Sequence, residues 1–94
     1  MRTIKRAGQF KADFKAARAN PRQAPALDTA LMTAVSLLAA DQPLPERYRD
    51  HELVGDWKGH RECHIKPDLL LIYSKPSDDA LWLVRIGSHS RLFK

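Results

Sequence analysis

The sequence predicts an α+β fold in which two N-terminal helices pack on one face of a small antiparallel sheet. Apolar residues recur at helical spacing in the first 40 residues, whereas the second half contains the alternating and continuously apolar segments typical of strands. Consecutive strands joined by short turns pair in antiparallel order, and helices that precede them in the chain cover one of their faces. We expect a single domain over residues 1–94, because a chain of this length supports only one core.

The first half begins with a short strand and a helix. The stretch "RTIKR", residues 2–6, is predicted to be a strand, and the spacing of Phe10, Phe14 and Ala17 indicates a helix over residues 8–19. The prolines in "ANPRQAP" end this helix, because proline lacks a backbone N–H group and pushes the residue before it into an extended conformation.

A second amphipathic helix is predicted from Pro25 to about Ala40. Leu27, Leu31 and Leu38 fall on one side of it, and a proline suits its first turn. The following segment "DQPLPERYRD" is predicted to be a turn-rich connection without a helix.

Three segments of the second half are predicted strands. "GHRECHIK" alternates, "LLLIY" and "LWLVRI" are apolar, and "KPSDD" between the last two is a turn suited to a hairpin. The alternation places His60, Glu62 and His64 on one face, and Cys63 and Ile65 on the face that packs against the helices. Because the helices cover only one side of the sheet, we expect the three polar side chains to be accessible to a ligand.

The net charge of +5 is concentrated at the N-terminus. Residues 1–23 contain seven basic residues and one acidic residue. Such a segment attracts a polyanion, because lysine and arginine near phosphates release counterions. The same composition is also typical of an ordinary solvated surface. Charge alone leaves both interpretations open.

The expected location is the cytoplasm, with no membrane partner. A single cysteine cannot form an internal disulfide, which fits a reducing compartment. The N-terminus "MRTIKRAGQF" lacks the apolar centre of a signal peptide, and no apolar run approaches the roughly 20 residues that span a bilayer.

Residues 50–73 contain three of the four histidines and the cysteine, a grouping that fits an acid/base site better than a metal site. Cys63 and His64 point to opposite faces, and the chain has no CxxC or HExxH spacing, so we expect neither a metal nor another cofactor. Imidazoles, whose unperturbed pKa lies near 6.5, exchange protons readily at neutral pH. Asp68 and His89 are further candidates, although surface histidines without a function remain an alternative.

Two longer stretches resemble a known family. "LPERYRDHELVGDWKGHRECHIKPDLLLIY", which ends at Tyr73, and the later "GSHSRLF" are similar to the YafQ branch of the RelE/ParE superfamily of bacterial type II toxins. The similarity is continuous from Leu44 to Tyr73 and resumes from Arg85 to Phe93, whereas the helical half is similar in layout more than in residues.

The resemblance implies a RelE-like microbial RNase fold and a ribosome-dependent messenger RNA endonuclease that cuts messages in the ribosomal A site. It also implies a cognate antitoxin whose ribbon-helix-helix end binds operator DNA, so that the toxin meets DNA only through the antitoxin. The functional residues that it implies are His51, His64, Asp68, His89 and Phe93 as catalytic residues, with Arg85, Glu62 and Lys58 as RNA contacts. Glu62 stands where some relatives have aspartate, and His60 stands where an aromatic residue is frequent, so His60 is expected to be a surface residue.

The implied reaction needs no metal. A base removes the proton of the 2′-OH, the oxygen attacks the adjacent phosphorus, and an acid protonates the leaving 5′-oxygen. In this scheme the histidines and Asp68 share these roles, Arg85 or the histidines in cationic form balance the charge on phosphorus, and Phe93 stacks on a base. Two alternatives remain: a relative that poisons DNA gyrase without nuclease chemistry, and a noncatalytic binding module of the same fold.

Overall fold

Five strands and two long helices make up most of the chain. The computed structural model describes residues 1–93. The elements are, in chain order, β1 (Thr3–Arg6), α1 (Gly8–Ala19), α2 (Leu27–Ala39), a 3-10 turn (Glu46–Tyr48), β2 (His51–Glu52), a second 3-10 turn (Gly55–Trp57), β3 (Arg61–Lys66), β4 (Leu69–Ser74), β5 (Ala80–Gly87) and α3 (His89–Leu92). The α+β class and the two N-terminal helices are confirmed.

The sheet is mixed, so the prediction of a wholly antiparallel sheet was wrong at one edge. The strand order is β1-β5-β4-β3-β2, and β1 pairs with β5 in parallel, with Thr3 opposite Ala80 and Arg6 opposite Leu83. The other neighbours are antiparallel. A parallel pair needs a long crossover connection, and here both helices and three strands separate β1 from β5 in the chain.

The main core lies between the sheet and the helices. Phe10 of α1, Leu31 of α2, Leu71 of β4 and Ile86 of β5 are buried in it, and Cys63 joins them as predicted. Each large apolar side chain buried here contributes roughly 1.5–3 kcal/mol. This core holds β3, β4 and β5 in fixed positions against the helices, and two of these strands carry predicted site residues.

The second face of the sheet is not left open. Leu70, Ile72 and Leu92 are buried there, and this second cluster is completed by partly buried side chains, namely Leu53, Trp57, Val84 and Phe93. This face is covered by α3 and by the loop after β2. Both are too short to show a helical period in the sequence. The expectation of an accessible second face therefore holds only beside this cluster.

One boundary and one connection differ from the prediction. The second helix starts at Leu27 and not at Pro25, because Ala26 adopts a left-handed conformation with φ of 58°. The connection after it contains one 3-10 turn, in which Tyr48 is buried. Within residues 1–93, no helix is long and apolar enough to cross a membrane.

Candidate active site

Strand pairing brings two of the predicted catalytic histidines to one face of the sheet. His51 in β2 lies directly opposite Glu62 in β3, and His64 follows two residues later on the same face. Diagonal neighbours of this kind lie roughly 7–8 Å apart, so His51 and His64 are close neighbours on this face. The sheet register thus explains how residues 13 positions apart lie on one face of the sheet.

His51 is oriented by the backbone before it. Its Nδ1 atom lies 2.7 Å from the carbonyl oxygen of Arg49. A carbonyl only accepts, so Nδ1 carries the hydrogen, and the neutral ring therefore presents an unprotonated Nε2 atom. Since His51 is exposed, a substrate can reach the ring, and the unprotonated nitrogen can accept a proton from it.

Asp50 anchors the chain just before His51. The Tyr73 hydroxyl donates to the Asp50 carboxylate at 2.6 Å, and Arg61 Nε donates to the same carboxylate at 3.3 Å. Burial of Tyr73 and the adjacent Asp50 carboxylate raise the pKa of this phenol above its usual range, so it stays a donor. The contact ties β2 to β4 and was not predicted from the sequence.

Glu62 is buried beside His64, which corrects the expectation that it faces solvent. It is 5% exposed, and one of its carboxylate oxygens lies 3.7 Å from Nε2 of His64. That distance is too long for a hydrogen bond, but it makes an ion pair when the imidazole is protonated. The carboxylate can therefore hold His64 in place, but its burial disfavours the predicted direct contact with RNA.

His60 packs against the second cluster and is not simply a surface residue. Its ring meets Trp57 edge-on, with 5.4 Å between the centroids. Its Nδ1 atom is buried and has no hydrogen-bond partner within residues 1–93. We therefore assign His60 a packing contact with Trp57.

The C-terminal helix α3 presents His89 and Phe93. Ser88 caps it by accepting from the N–H group of Arg91 at 3.3 Å, and Leu92 is buried in the second cluster. The His89 and Phe93 rings are 5.1 Å apart, and Phe93 also lies edge-on to Trp57 at 6.4 Å. The three rings form an aromatic surface beside the sheet, which suits contact with a base.

Gly87 allows this close approach of α3. A Cβ atom at Gly87 would lie 3.3 Å from side-chain carbons of both Arg91 and Leu92. A larger residue would push α3 away from β5, and with it the two rings.

Asp68 lies at the turn between β3 and β4 and is exposed. Leu70 pairs with Gly87, so this turn and the start of α3 are at the same end of the sheet. The backbone oxygen of Asp68 accepts from Gln23 at 3.0 Å, and within residues 1–93 its carboxylate makes no hydrogen bond or ion pair. The carboxylate is thus free to contact a substrate.

The predicted RNA contacts Arg85 and Lys58 differ in environment. Lys58 is exposed directly after the second 3-10 turn. Arg85 donates from Nε and Nη2 to the carboxylate of Asp13 at 2.6 and 3.1 Å, and its side chain is 21% exposed. These bonds leave the remaining nitrogen, Nη1, for an external acceptor.

Asp13 is a residue that the sequence did not point to. Its carboxylate is fully buried, accepts from the Ile86 N–H group at 3.2 Å, and lies 3.5 Å from Arg91. Burial opposes ionisation of Asp13, but the bonds from Arg85 and Ile86 outweigh it and lower the pKa below its usual value. One carboxylate thus joins α1, β5 and α3.

The structure shows the environment of the cysteine and the placement of possible metal ligands. Cys63 is fully buried, and burial raises its pKa to about 12, so it is not a nucleophile. In the part of the chain that the structure describes, no group of three histidine, cysteine or acidic residues is placed to hold a metal ion.

Comparisons with known proteins agree with the fold and motifs. The family model described as the bacterial toxin of the type II toxin-antitoxin system, YafQ, matches residues 2–94. The mRNA interferase toxin YafQ of Escherichia coli K12 is 41% identical over 92 residues, which are 98% of this chain and 96% of that protein.

Solved structures agree as well. The crystal structure of the Escherichia coli DinJ–YafQ complex matches with a TM-score of 0.84 and 37% identity, over 100% of both chains. A metal-bound toxin from Helicobacter pylori matches with a TM-score of 0.85 and 45% identity, over 99% of this chain and 100% of that one. The chain belongs to the YafQ family of toxins of bacterial type II toxin-antitoxin systems.

Proposed function

We propose that this protein is a ribosome-dependent messenger RNA endonuclease that inhibits translation. The observation that carries the proposal is the arrangement of His51 and His64 on one sheet face beside an aromatic surface that includes His89 and Phe93. The related mRNA interferase toxin of Escherichia coli supports the choice of messenger RNA as substrate.

The geometry favours His51 as the base. Its free Nε2 atom takes the proton of the 2′-OH group, and the 2′-oxygen then forms a bond to the adjacent phosphorus. The bond from phosphorus to the 5′-oxygen breaks, and a protonated His64 or His89 donates a proton to that oxygen. The products are a 2′,3′-cyclic phosphate and a 5′-OH end.

The other predicted residues act on position and charge. Phe93 stacks on a base next to the scissile bond and holds the nucleotide splayed, which contributes roughly 1–3 kcal/mol per stacked base. Arg85, through its Nη1 atom, and Lys58 contact phosphate oxygens, and Asp68 orients the ribose or an imidazole. Glu62 acts through His64, because its own carboxylate is buried.

The chemical step is proposed to need no metal ion. RNA supplies its own nucleophile, and imidazoles perform both proton transfers, so a Lewis acid is not required for this route. The metal-bound toxin from Helicobacter pylori makes metal content the first quantity to measure. A stoichiometric zinc or copper ion whose removal abolishes cleavage would contradict the proposal.

The proposed partners are the ribosome, the message in its A site and a cognate antitoxin. The DinJ–YafQ complex of Escherichia coli supports an antitoxin, which we propose carries a ribbon-helix-helix end and brings the toxin to operator DNA. The seven basic residues of the N-terminal segment face ribosomal RNA phosphates in this scheme. The toxin acts in the cytoplasm, where translation occurs.

The experiment compares a labelled message free in solution with the same message programmed in the A site of purified ribosomes. Metal-stripped protein is expected to cut only the ribosome-bound message. Growth arrest on expression with intact translation and inhibited DNA gyrase would favour the gyrase-poisoning alternative. Binding without cleavage would favour a noncatalytic module.

A further inference from the structure

A basic cleft lies beside His64, between the first 3-10 turn and the end of β3. Its volume is about 420 Å³. Ligand sites in proteins occupy roughly 300–1,000 Å³, so the cleft has room for a nucleotide-sized group. Arg47, Arg49 and Lys66 line it together with His64, and none of the described residues that line it is acidic.

The three basic side chains retain donors for an anion. Lys66 donates to the backbone oxygens of Gln23 and Pro25 at 3.0 and 2.9 Å, which leaves one of its three ammonium hydrogens. The guanidinium of Arg47 lies 5.0 Å over the Tyr48 ring, and the side chain is exposed. Within residues 1–93, no salt bridge joins Arg47, Arg49 or Lys66 to a carboxylate.

The cleft is continuous with the candidate active site. His64 belongs to both, and Arg49 holds His51 through its carbonyl oxygen. An anion in the cleft therefore lies next to the group that reacts between the two histidines. In a bound RNA strand, the phosphate next to the scissile phosphodiester occupies such a position.

We propose that this cleft binds the phosphate backbone of the RNA next to the scissile bond, with Arg47 and Arg49 as the direct contacts. Arginine forms paired hydrogen bonds with phosphate oxygens, whereas Lys66, held by two carbonyls, adds mainly charge. The identity of the ligand as RNA rests on the proposed function. An acidic peptide segment of a partner protein is the competing occupant.

The test measures binding of a labelled single-stranded RNA by fluorescence anisotropy at several salt concentrations. The test variant is Arg47→Ala/Arg49→Ala, the rescue variant is Arg47→Lys/Arg49→Lys, and Lys75→Ala is the control because Lys75 contacts Asp41 away from the cleft. Thermal unfolding of each variant verifies that it is folded.

The alanine variant is expected to bind RNA about 10-fold more weakly at roughly 0.1 M salt, and the lysine variant to recover part of this loss. Each lost phosphate contact reduces the slope of log K against log salt by about 0.7 for a single strand, so two lost contacts reduce it by about 1.4. Lys75→Ala is expected to keep the wild-type affinity and slope.

Equal affinities and slopes in Arg47→Ala/Arg49→Ala and Lys75→Ala would overturn the proposal. Unchanged RNA binding with lost affinity for an acidic peptide would assign the cleft to a protein partner and also overturn it. Because free RNA binding is measured without cleavage, a failure of the nuclease proposal would show separately, as wild-type protein that binds RNA normally and does not cut ribosome-bound message.

Discussion

Replacement of Asp13 by asparagine removes the charge that joins α1, β5 and α3. The asparagine keeps the size of the side chain and one acceptor oxygen. In either orientation its NH₂ group faces an N–H group of Arg85, because Arg85 donates to both carboxylate oxygens of Asp13. Arg85 then keeps its charge without a counterion and loses one of its two acceptors. The Ile86 N–H group or the Gln9 amide loses its acceptor as well.

The cost can be bounded from these contacts. Breaking a buried ion pair costs about 3–5 kcal/mol, and a hydrogen bond to a charged group contributes about 1.5–3 kcal/mol. Because the Arg85 side chain is 21% exposed, water partly replaces the lost partner, and we expect a loss near 2–3 kcal/mol in the free energy of unfolding. For a domain of this size the same change lowers the Tm by roughly 8–24 °C.

The assay is urea and thermal unfolding followed by circular dichroism, with Asp41→Asn as the matched control. Asp41 is an exposed carboxylate that pairs with Arg2 and Lys75, so its loss is expected to have a much smaller effect. Arg91 also loses its ion pair in Asp13→Asn, so α3 is less firmly held, and the cleavage rate is expected to fall in the folded protein. A free energy of unfolding for Asp13→Asn equal to that of Asp41→Asn would refute the reasoning.

Three further predictions follow from single side chains. The stability difference between the wild type and Asp13→Asn is expected to be largest above pH 3.8, the ordinary pKa of an aspartate. It is expected to shrink as the pH falls through the lower pKa that Asp13 has in the folded protein, because a protonated Asp13 no longer pairs with Arg85. Unfolding measured from about pH 7 to about pH 2 checks this. Phe93→Ala is expected to slow cleavage through lost stacking while Phe93→Trp retains most of the rate, as single-turnover kinetics on ribosomes would measure, and equal rates would exclude a stacking role. Cys63 is expected to resist thiol reagents in the native state and to react on unfolding, and rapid native labelling would contradict its burial and its pKa of about 12.

The sequence predicted the long elements, which have a clear period, and missed β2 and α3, which are too short to show one. Phe10, Phe14 and Ala17 located α1, and its predicted bounds, residues 8–19, match the observed helix. The four residues of α3 are too few to show a helical period, so its packing on the second face of the sheet could not be predicted. Nothing local to β1 reveals that its partner is β5, about 77 residues away.

The candidate site was likewise predicted only in part from the sequence. The motif located His51, His64 and His89, and alternation placed Glu62 and His64 on one face, as the structure has them. The contact of Asp13 with Arg85 joins residues 72 positions apart, and such contacts depend on tertiary packing, which carries no signal in a single sequence. Burial of Glu62 is likewise a property of the packed second face.

The most direct test of the central claim is single-turnover cleavage of an A-site message by metal-stripped protein, with analysis of the product ends. The account predicts 2′,3′-cyclic phosphate and 5′-OH ends, and roughly 10²-fold lower rates for His51→Gln and His64→Gln with ribosome affinity nearly unchanged. Products with 5′-phosphate ends, or wild-type rates in both histidine variants, would contradict it.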